Sequence, residues 1–218
     1  TTLESMRTAG DRRLHLAHIQ FHSYSGELGK NPGSAAQEIA DYVNSHPNIS
    51  CDVGQVMFGK ATIMTADAPL AYMLRGIAKG KWVNADTECE SGCGIVPFKY
   101  QEHVYVHALQ WAIGLELFLL SEDPWRIILS TDHPNGGSFM NYPKLIKLLM
   151  DSAFRKEELS KANQKAINKT LLPDLDREYT LNEIAIITRA GPARCLGLHN
   201  KGHLGVGADA DITIYDDM

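Results

Sequence analysis

The chain has 218 residues, 44% of them hydrophobic, and a formal net charge of −5 with histidine neutral. That length supports one sizeable core, or one domain with a small appendage, and the absence of a Lys/Arg stripe excludes nucleic acid or an anionic membrane as the main partner. Four scattered cysteines, Cys51, Cys89, Cys93 and Cys195, make no secreted disulfide framework, so a reducing cytoplasm is the expected compartment. Cys89 and Cys93 have no second Cys or His pair at zinc-finger spacing and are expected to be free thiols. The first turn holds Glu4 and Arg7 instead of the apolar stretch of a signal peptide. With no initiator methionine ahead of the helix-like residues 1–8, the chain is expected to begin inside a longer one.

In chain order, residues 14–22 have the length and apolar content of a strand. Period-two alternation places Leu14, Leu16, His18, Gln20 and His22 on one face. His18 and His22 then point the same way, either as metal or substrate ligands near a strand end or as hydrogen-bonded rim histidines. Ser34-Ala-Ala-Gln37 has the form of a capping box that opens a helix to about Val43, and Pro47 excludes continuation. Residues 49–58 read as the next strand, with Gly54 admitting close approach of backbone or ligand. Strand, helix and strand make a βαβ unit, which favours a parallel sheet.

Residues 70–77 are expected to be helical. Residues 82–100, with Asp86, Glu88, Glu90 and Gly92-Cys-Gly94, read as a long loop that either shapes a pocket or forms a solvated acidic face. A helix over 103–120 follows; its most apolar window, 109–120, is interrupted by Glu116 and is far shorter than the roughly 20 residues that span a bilayer. It is a core helix. Residues 142–155 form another helix with Leu145, Leu148 and Leu149 on one face, and residues 156–176 are charged and helical in part. Thr180-Leu-Asn-Glu183 is a capping box opening a helix to Arg189, and Pro192 opens a second one that Gly197 ends. Ile212 and Ile214 alternate as in a half-buried strand. The glycines between 202 and 207 lack the Gly-Lys-Ser/Thr and following helix of a phosphate loop.

The sharpest stretch is residues 126–137. Ile127, Ile128 and Leu129 read as a strand buried on both faces, Pro134 biases His133 toward extended backbone, and Asn135-Gly-Gly137 turns away. Asp132 therefore stands at a carboxyl-terminal strand end. In barrels of alternating strands and helices that end faces the active site, and an acid there can bind metal or take a proton from water; capping the next turn is the simpler role for the same residue.

Gly205-Val-Gly-Ala-Asp-Ala-Asp-Ile-Thr-Ile-Tyr215, after Pro192-Ala-Arg-Cys-Leu-Gly-Leu198, resembles the ending of the amidohydrolase superfamily. His18-Ile-Gln-Phe-His-Ser-Tyr24, Cys51-Asp-Val-Gly-Gln55, Leu109-Gln-Trp-Ala-Ile-Gly-Leu-Glu116 and Thr131-Asp-His-Pro-Asn-Gly-Gly137 narrow the resemblance to the amidohydrolase-type subunit of formylmethanofuran dehydrogenases and of bacterial formyltransferase/hydrolase complexes. It covers nearly the whole chain. The resemblance implies an α/β fold: residues 1–176 as the carboxyl-terminal part, strands six to eight, of an amidohydrolase-type (β/α)8 barrel, and residues 177–218 as a helical tail with one strand of a small β-sandwich. The amino-terminal half is then absent.

The activity so implied is metal-dependent hydrolysis of the N-formyl amide of formylmethanofuran, or of a bacterial analogue, to formate and free amine in tetrahydromethanopterin-linked one-carbon metabolism. Two divalent metal ions, usually zinc, serve as cofactors, with most ligands upstream of Thr1, and the other subunits of the complex are the partners. By the same resemblance His18 matches the strand-six histidine ligand, and Asp132 matches the strand-eight acid that binds metal and shuttles the proton. His22, His133 and Asn135 sit where substrate contacts can arise. The family's His-x-His pair, its metal-bridging carboxylated lysine and its strand-five histidine have no counterpart in this chain, which alone is expected to be inactive. Two other readings are a binuclear-metal amidohydrolase of cyclic amides and a non-catalytic assembly subunit.

Overall fold

Three short parallel strands carry the core of the structure, a computed structural model that describes residues 2–26, 32–65, 73 and 94–214. Helix α1 (Thr2–Ala9) precedes them, and they are β1 (Leu14–Leu16), β4 (Ile49–Asp52) and β7 (Ile127–Ile128), in the order β1-β4-β7, with the short antiparallel pair β2 (Tyr24–Ser25) and β3 (Gly33–Ser34) between the first two in sequence. Leu16 pairs with Cys51, and Cys51 with Ile127. The expected parallel βαβ unit is present, because α2 (Ala36–Ser45) connects β1 to β4. On β4 Ile49 and Cys51 of one face are buried while Ser50 and Asp52 of the other are half-buried; on β7 both Ile127 and Ile128 are buried, as a strand covered on both faces requires. The ladder runs past the formal strand ends, since the amides of Val53 and Gln55 donate to the carbonyls of Ile128 and Ser130.

The helix expected over 103–120 is present as α3 (Tyr105–Leu120) and is the hydrophobic centre of the molecule, with Leu109, Trp111, Ile113, Leu115 and Phe118 all buried. Burying side chains of this size stabilises by about 1.5–3 kcal/mol each, which is why a helix apolar on nearly every side belongs inside. On α2, Ile39, Ala40 and Val43 are buried, and a gap too small to hold a ligand separates them from Leu117, Cys51 and Ile127. Arg126, just before β7, donates to the carbonyls of Val43, Asn44 and His46. It thereby satisfies orphan acceptors at the carboxyl end of α2 and places a cation against the negative end of the helix dipole. Among the described residues no helix is long and apolar enough to cross a membrane.

Several expected elements differ. The strand over 14–22 stops at Leu16; His18 takes a left-handed backbone (φ 50°), and Ile19–His22 is a 3-10 helix. Gln20 provides the reason. Its buried amide donates to the Gly54 carbonyl and accepts from the Val56 N–H, partners reached in this turn, and a buried amide left unpaired is costly. His18 and His22 therefore do not alternate along one strand face.

The capping box at Ser34 does not form. The helix starts at Ala36 with Ala35 as its N-cap, while the Ser34 hydroxyl accepts from the Ala36 amide and is hydrogen-bonded to the Glu116 carboxyl. The helix over 142–155 is broken into α4 (Tyr142–Met150) and α5 (Ser152–Lys161), because Asp151 is extended and its carboxylate caps the second helix at Phe154. Residues 94–100, expected in a loop, form β6 (Gly94–Tyr100), antiparallel to β5 (Gly59–Thr65). Thr62 of β5 donates to the Pro134 carbonyl, which ties this pair to the turn after β7. Of the helix expected over 70–77 only Met73, which is helical, is described; the acidic stretch 82–93, with Cys89 and Cys93, lies outside the described residues.

The capping box at Thr180 forms as expected, with Glu183 bonding back to the Thr180 amide. The strand expected at Ile212 and Ile214 is not formed among the described residues. Those side chains are 66% and 86% exposed, and the segment is held instead by Lys201, which pairs with Asp209 and Asp211. A strand without a ladder partner has no backbone hydrogen bonds to make.

Candidate active site

The carboxyl-terminal ends of the three parallel strands converge on one place. Beyond β1 the left-handed bend at His18 turns its imidazole over Gly54, whose own φ is 65°. A Cβ on Gly54 would stand 2.9 Å from Cβ, Cγ and Cδ2 of His18, so only glycine lets the ring lie there. Beyond β7, Asp132 is also left-handed, with φ 48°. These two bends bring His18 Nδ1 to 3.7 Å from Asp132 Oδ2. Asn135 Nδ2 donates to Asp132 Oδ2 at 2.7 Å, and the chain after it is kept in place by the Gly136 amide, which donates to the Thr131 carbonyl.

A cavity of about 620 Å³ opens in front of this pair. His18, His22, Asp132 and Asn135 line it, together with Phe21, Tyr24, Phe98, Val106, His107 and Gln110. The site is therefore one of two polar ends against a largely apolar wall, the composition of a small-molecule pocket. Burial pushes the Tyr24 phenol up to about 12, with the hydrogen bond to Gln110 opposing, and burial likewise raises Tyr100 with help from Tyr24 and Asp132. Both phenols stay neutral at physiological pH. His107 Nδ1 accepts the Gln101 amide at 3.0 Å, so in the neutral ring the proton sits on Nε2.

Asp52, at the end of the central strand, stands behind His18. Its Oδ1 accepts from the His18 amide at 3.2 Å and from Ser130 Oγ at 2.6 Å, and its Oδ2 lies 3.4 Å from His15 Nε2. Burial works to raise this carboxyl, but hydrogen bonds from His15, Ser130 and the His18 backbone hold it below the ordinary carboxylate range.

Of the residues singled out in the sequence, His18, His22, Asp132 and Asn135 thus share one cavity. His133 does not line it: the side chain is exposed, accepts from the Phe139 amide at 3.2 Å and packs edge-on against the Phe139 ring. Imidazole nitrogen and carboxylate oxygen are donors that zinc takes. Among the described residues no group of three or more His, Cys, Asp and Glu is placed to hold a metal, so His18 and Asp132 fit a metal centre as two of its ligands and no more.

A protein-family model described as the amidohydrolase family matches residues 1–218. The chain belongs to the amidohydrolase family. Within it, the chain is similar to Protein FwdA of Methanocaldococcus jannaschii, 47% identical over 228 residues, which cover 99% of this chain and 40% of that protein. It is also similar to a subunit of the formyltransferase/hydrolase complex Fhc of Methylorubrum extorquens, 45% identical over 219 residues, 98% of this chain and 40% of that one. Among solved structures, the formyltransferase/hydrolase complex FhcABCD of Methylorubrum extorquens, crystallised with methylofuran, contains a chain that superposes with a TM-score of 0.86 at 42% identity, over 100% of this chain and 40% of that one. The chain therefore spans about two fifths of the length of these relatives. The likeness to this kind of subunit, expected from the motifs, is borne out.

Sequence reasoning missed Asp52, His15, Ser130, Tyr24, Phe98, His107 and Gln110. Asp52 lies inside the quoted motif Cys51-Asp-Val-Gly-Gln55 and at a strand end, the same signal that marks Asp132. Phe98 and His107 come from a strand and a helix start that carry no chemical mark.

Proposed function

We propose that this chain carries part of the active site of a metal-dependent amidohydrolase that cleaves the N-formyl amide of a methanofuran-type carrier to formate and free amine. The observation that carries the reading is the His18–Asp132 pair, two strand ends apart in sequence and 3.7 Å apart in space, at the mouth of a cavity with an apolar wall. In this reading residues 1–176 belong to a (β/α)8 barrel and residues 177–218 to its appended helices and β-sandwich, completed by chain segments that also supply the remaining ligands of two metal ions. The partners are the other subunits of a formyltransferase/hydrolase complex, as the names of the relatives suggest.

His18 and Asp132 would each give one donor to the metal centre. A bound zinc ion supplies hydroxide at neutral pH, because it brings the pKa of water from about 15.7 to roughly 7. Asp132 also takes the proton released on attack at the formyl carbon and returns it to the departing amine nitrogen, which must be protonated to leave. Asn135 holds Oδ2 of that carboxylate and so leaves Oδ1 to handle the proton. His22 and His107 flank the cavity as polar contacts for the amide, and Phe21, Phe98 and Val106 accept the apolar part of the carrier.

The test uses the complete protein in its assembled complex. It should contain about two metals per active site and hydrolyse a linear N-formyl amine in preference to a ring amide. Cleavage of ring amides alone would assign the site to cyclic substrates, and a metal-free, inert assembly would make this a scaffold subunit.

A further inference from the structure

Neither ring nitrogen of His18 is without a carboxylate. Nδ1 faces Asp132 Oδ2 and Nε2 faces Asp52 Oδ1, each at 3.7 Å, an electrostatic separation longer than a hydrogen bond. The two carboxylates differ in how they are held. Asp52 is the more enclosed, with its side chain 15% exposed against 30% for Asp132. It also joins the ends of the three parallel strands: it sits on the central one and meets His15 of β1, the His18 amide just beyond β1, and Ser130 Oγ just beyond β7. Ser130 in turn accepts the Gly54 amide at 2.8 Å, and Gly54 is the surface on which the His18 ring rests.

We infer that Asp52 is a positioning residue for His18, fixing the ring so that Nε2 carries the proton and Nδ1 presents its lone pair to the cavity. A neutral imidazole has one N–H and one acceptor nitrogen, and the fixed carboxylate behind the ring favours the N–H on its own side. The nitrogen left bare is the one beside Asp132. Carboxylates that orient a metal-binding histidine through its far nitrogen typically change metal affinity by about 10–100-fold when removed. The same Asp52 oxygen accepts the His18 backbone N–H, so it also holds the left-handed bend that aims the ring.

This inference rests on the reading of His18 and Asp132 as metal ligands, and the test separates the two. Asp52→Asn, Ser130→Ala and His18→Ala are made in the complete subunit within its assembled complex. Metal retention is titrated against a chelator, and the visible absorption of the cobalt(II)-substituted protein reports ligand geometry. Asp52→Asn should keep assembly and unfolding midpoint, weaken metal binding about 10–100-fold and alter the cobalt(II) spectrum; Asp52→Glu should restore part of the affinity. Ser130→Ala, which leaves the carboxylate but removes one of its anchors, should produce a smaller loss in the same direction and serves if Asp52→Asn does not assemble. If His18→Ala loses metal while Asp52→Asn and Ser130→Ala bind it with the parent affinity and spectrum, the positioning role is wrong and the metal reading stands. If His18→Ala retains the parent metal content, both fall.

Discussion

His18 and Asp132 share a backbone conformation: φ is 50° at one and 48° at the other, and they are the only non-glycine residues with positive φ among the described residues. Each such bend costs of order 1–3 kcal/mol in a residue with a Cβ, and bends of this kind persist where the surroundings hold them and cluster at functional sites. Here the holding contacts are visible. Asp52 accepts the His18 amide, and Asn135 donates to Asp132 from one side chain while its own amide donates to the Asp132 carbonyl.

Gly54 gives the most local check. An alanine there would combine a left-handed φ of 65° with a Cβ 2.9 Å from the His18 ring. In the complete subunit Gly54→Ala should destabilise by roughly 1–3 kcal/mol and lower metal content by displacing the ring. Denaturant titration and metal analysis on one preparation check this; parent-like values for both would contradict the placement of His18.

Glu116 predicts a pH dependence. It lies in the middle of α3, 1% exposed, with the Leu171 amide and Ser34 on one side and Oε2 without a partner. Burial pushes its carboxyl up to about 7, with the Ser34 and Leu171 hydrogen bonds opposing. A group raised on folding contributes its stability fully below its unfolded value and loses it as pH climbs through the folded value. The parent should therefore lose on the order of 3 kcal/mol relative to Glu116→Gln between pH 4 and 8, with most of the loss below pH 7. Paired unfolding curves measure it, and a difference between parent and variant that does not change with pH would show that Glu116 is not buried as a neutral acid.

The carboxyl-terminal segment exposes Leu204, Val206, Ile212 and Ile214 at 81%, 108%, 66% and 86%. In the proposed β-sandwich these side chains are covered by strands from elsewhere in the complete subunit. Replacing Ile212 and Ile214 together by Asp should lower stability by about 1.5–3 kcal/mol per side chain and leave metal content unchanged. An unaltered unfolding midpoint would place the segment in solvent.

The parts of this structure that can be read in the sequence are those where one local rule suffices. Buried Ile127–Ile128 with Pro134 following, the apolar α3, the βαβ unit and the Thr180 capping box all follow from periodicity and caps. Misreadings arise where a distant partner decides. Alternation alone makes residues 14–22 a strand, and nothing local reveals that Gln20 must meet Gly54 and Val56. The Ser34 hydroxyl has its partner in Glu116, more than eighty residues away in sequence, and β5 has its ladder with β6 across the undescribed stretch. In the site, Asp132 is marked by an abrupt strand end, whereas Asp52 escapes notice because its strand reads as continuing to Phe58. His22 reaches the cavity by a 3-10 turn that the strand reading does not contain.

Under the proposed function Asp132 handles the proton of a metal-assisted hydrolysis, and a single substitution removes that capacity. Asp132→Asn keeps the size of the side chain and an oxygen for Asn135 to donate to, but removes the charge and the proton-accepting site. Measured in the complete protein within its assembled complex, hydrolysis of a linear N-formyl amine should fall by about 10² to 10⁴, with assembly and unfolding midpoint preserved and metal content determined on the same sample. A variant that retains its metal and cleaves the formamide at near the parent rate would rule out proton transfer through Asp132 and leave it as a cap on the turn after β7.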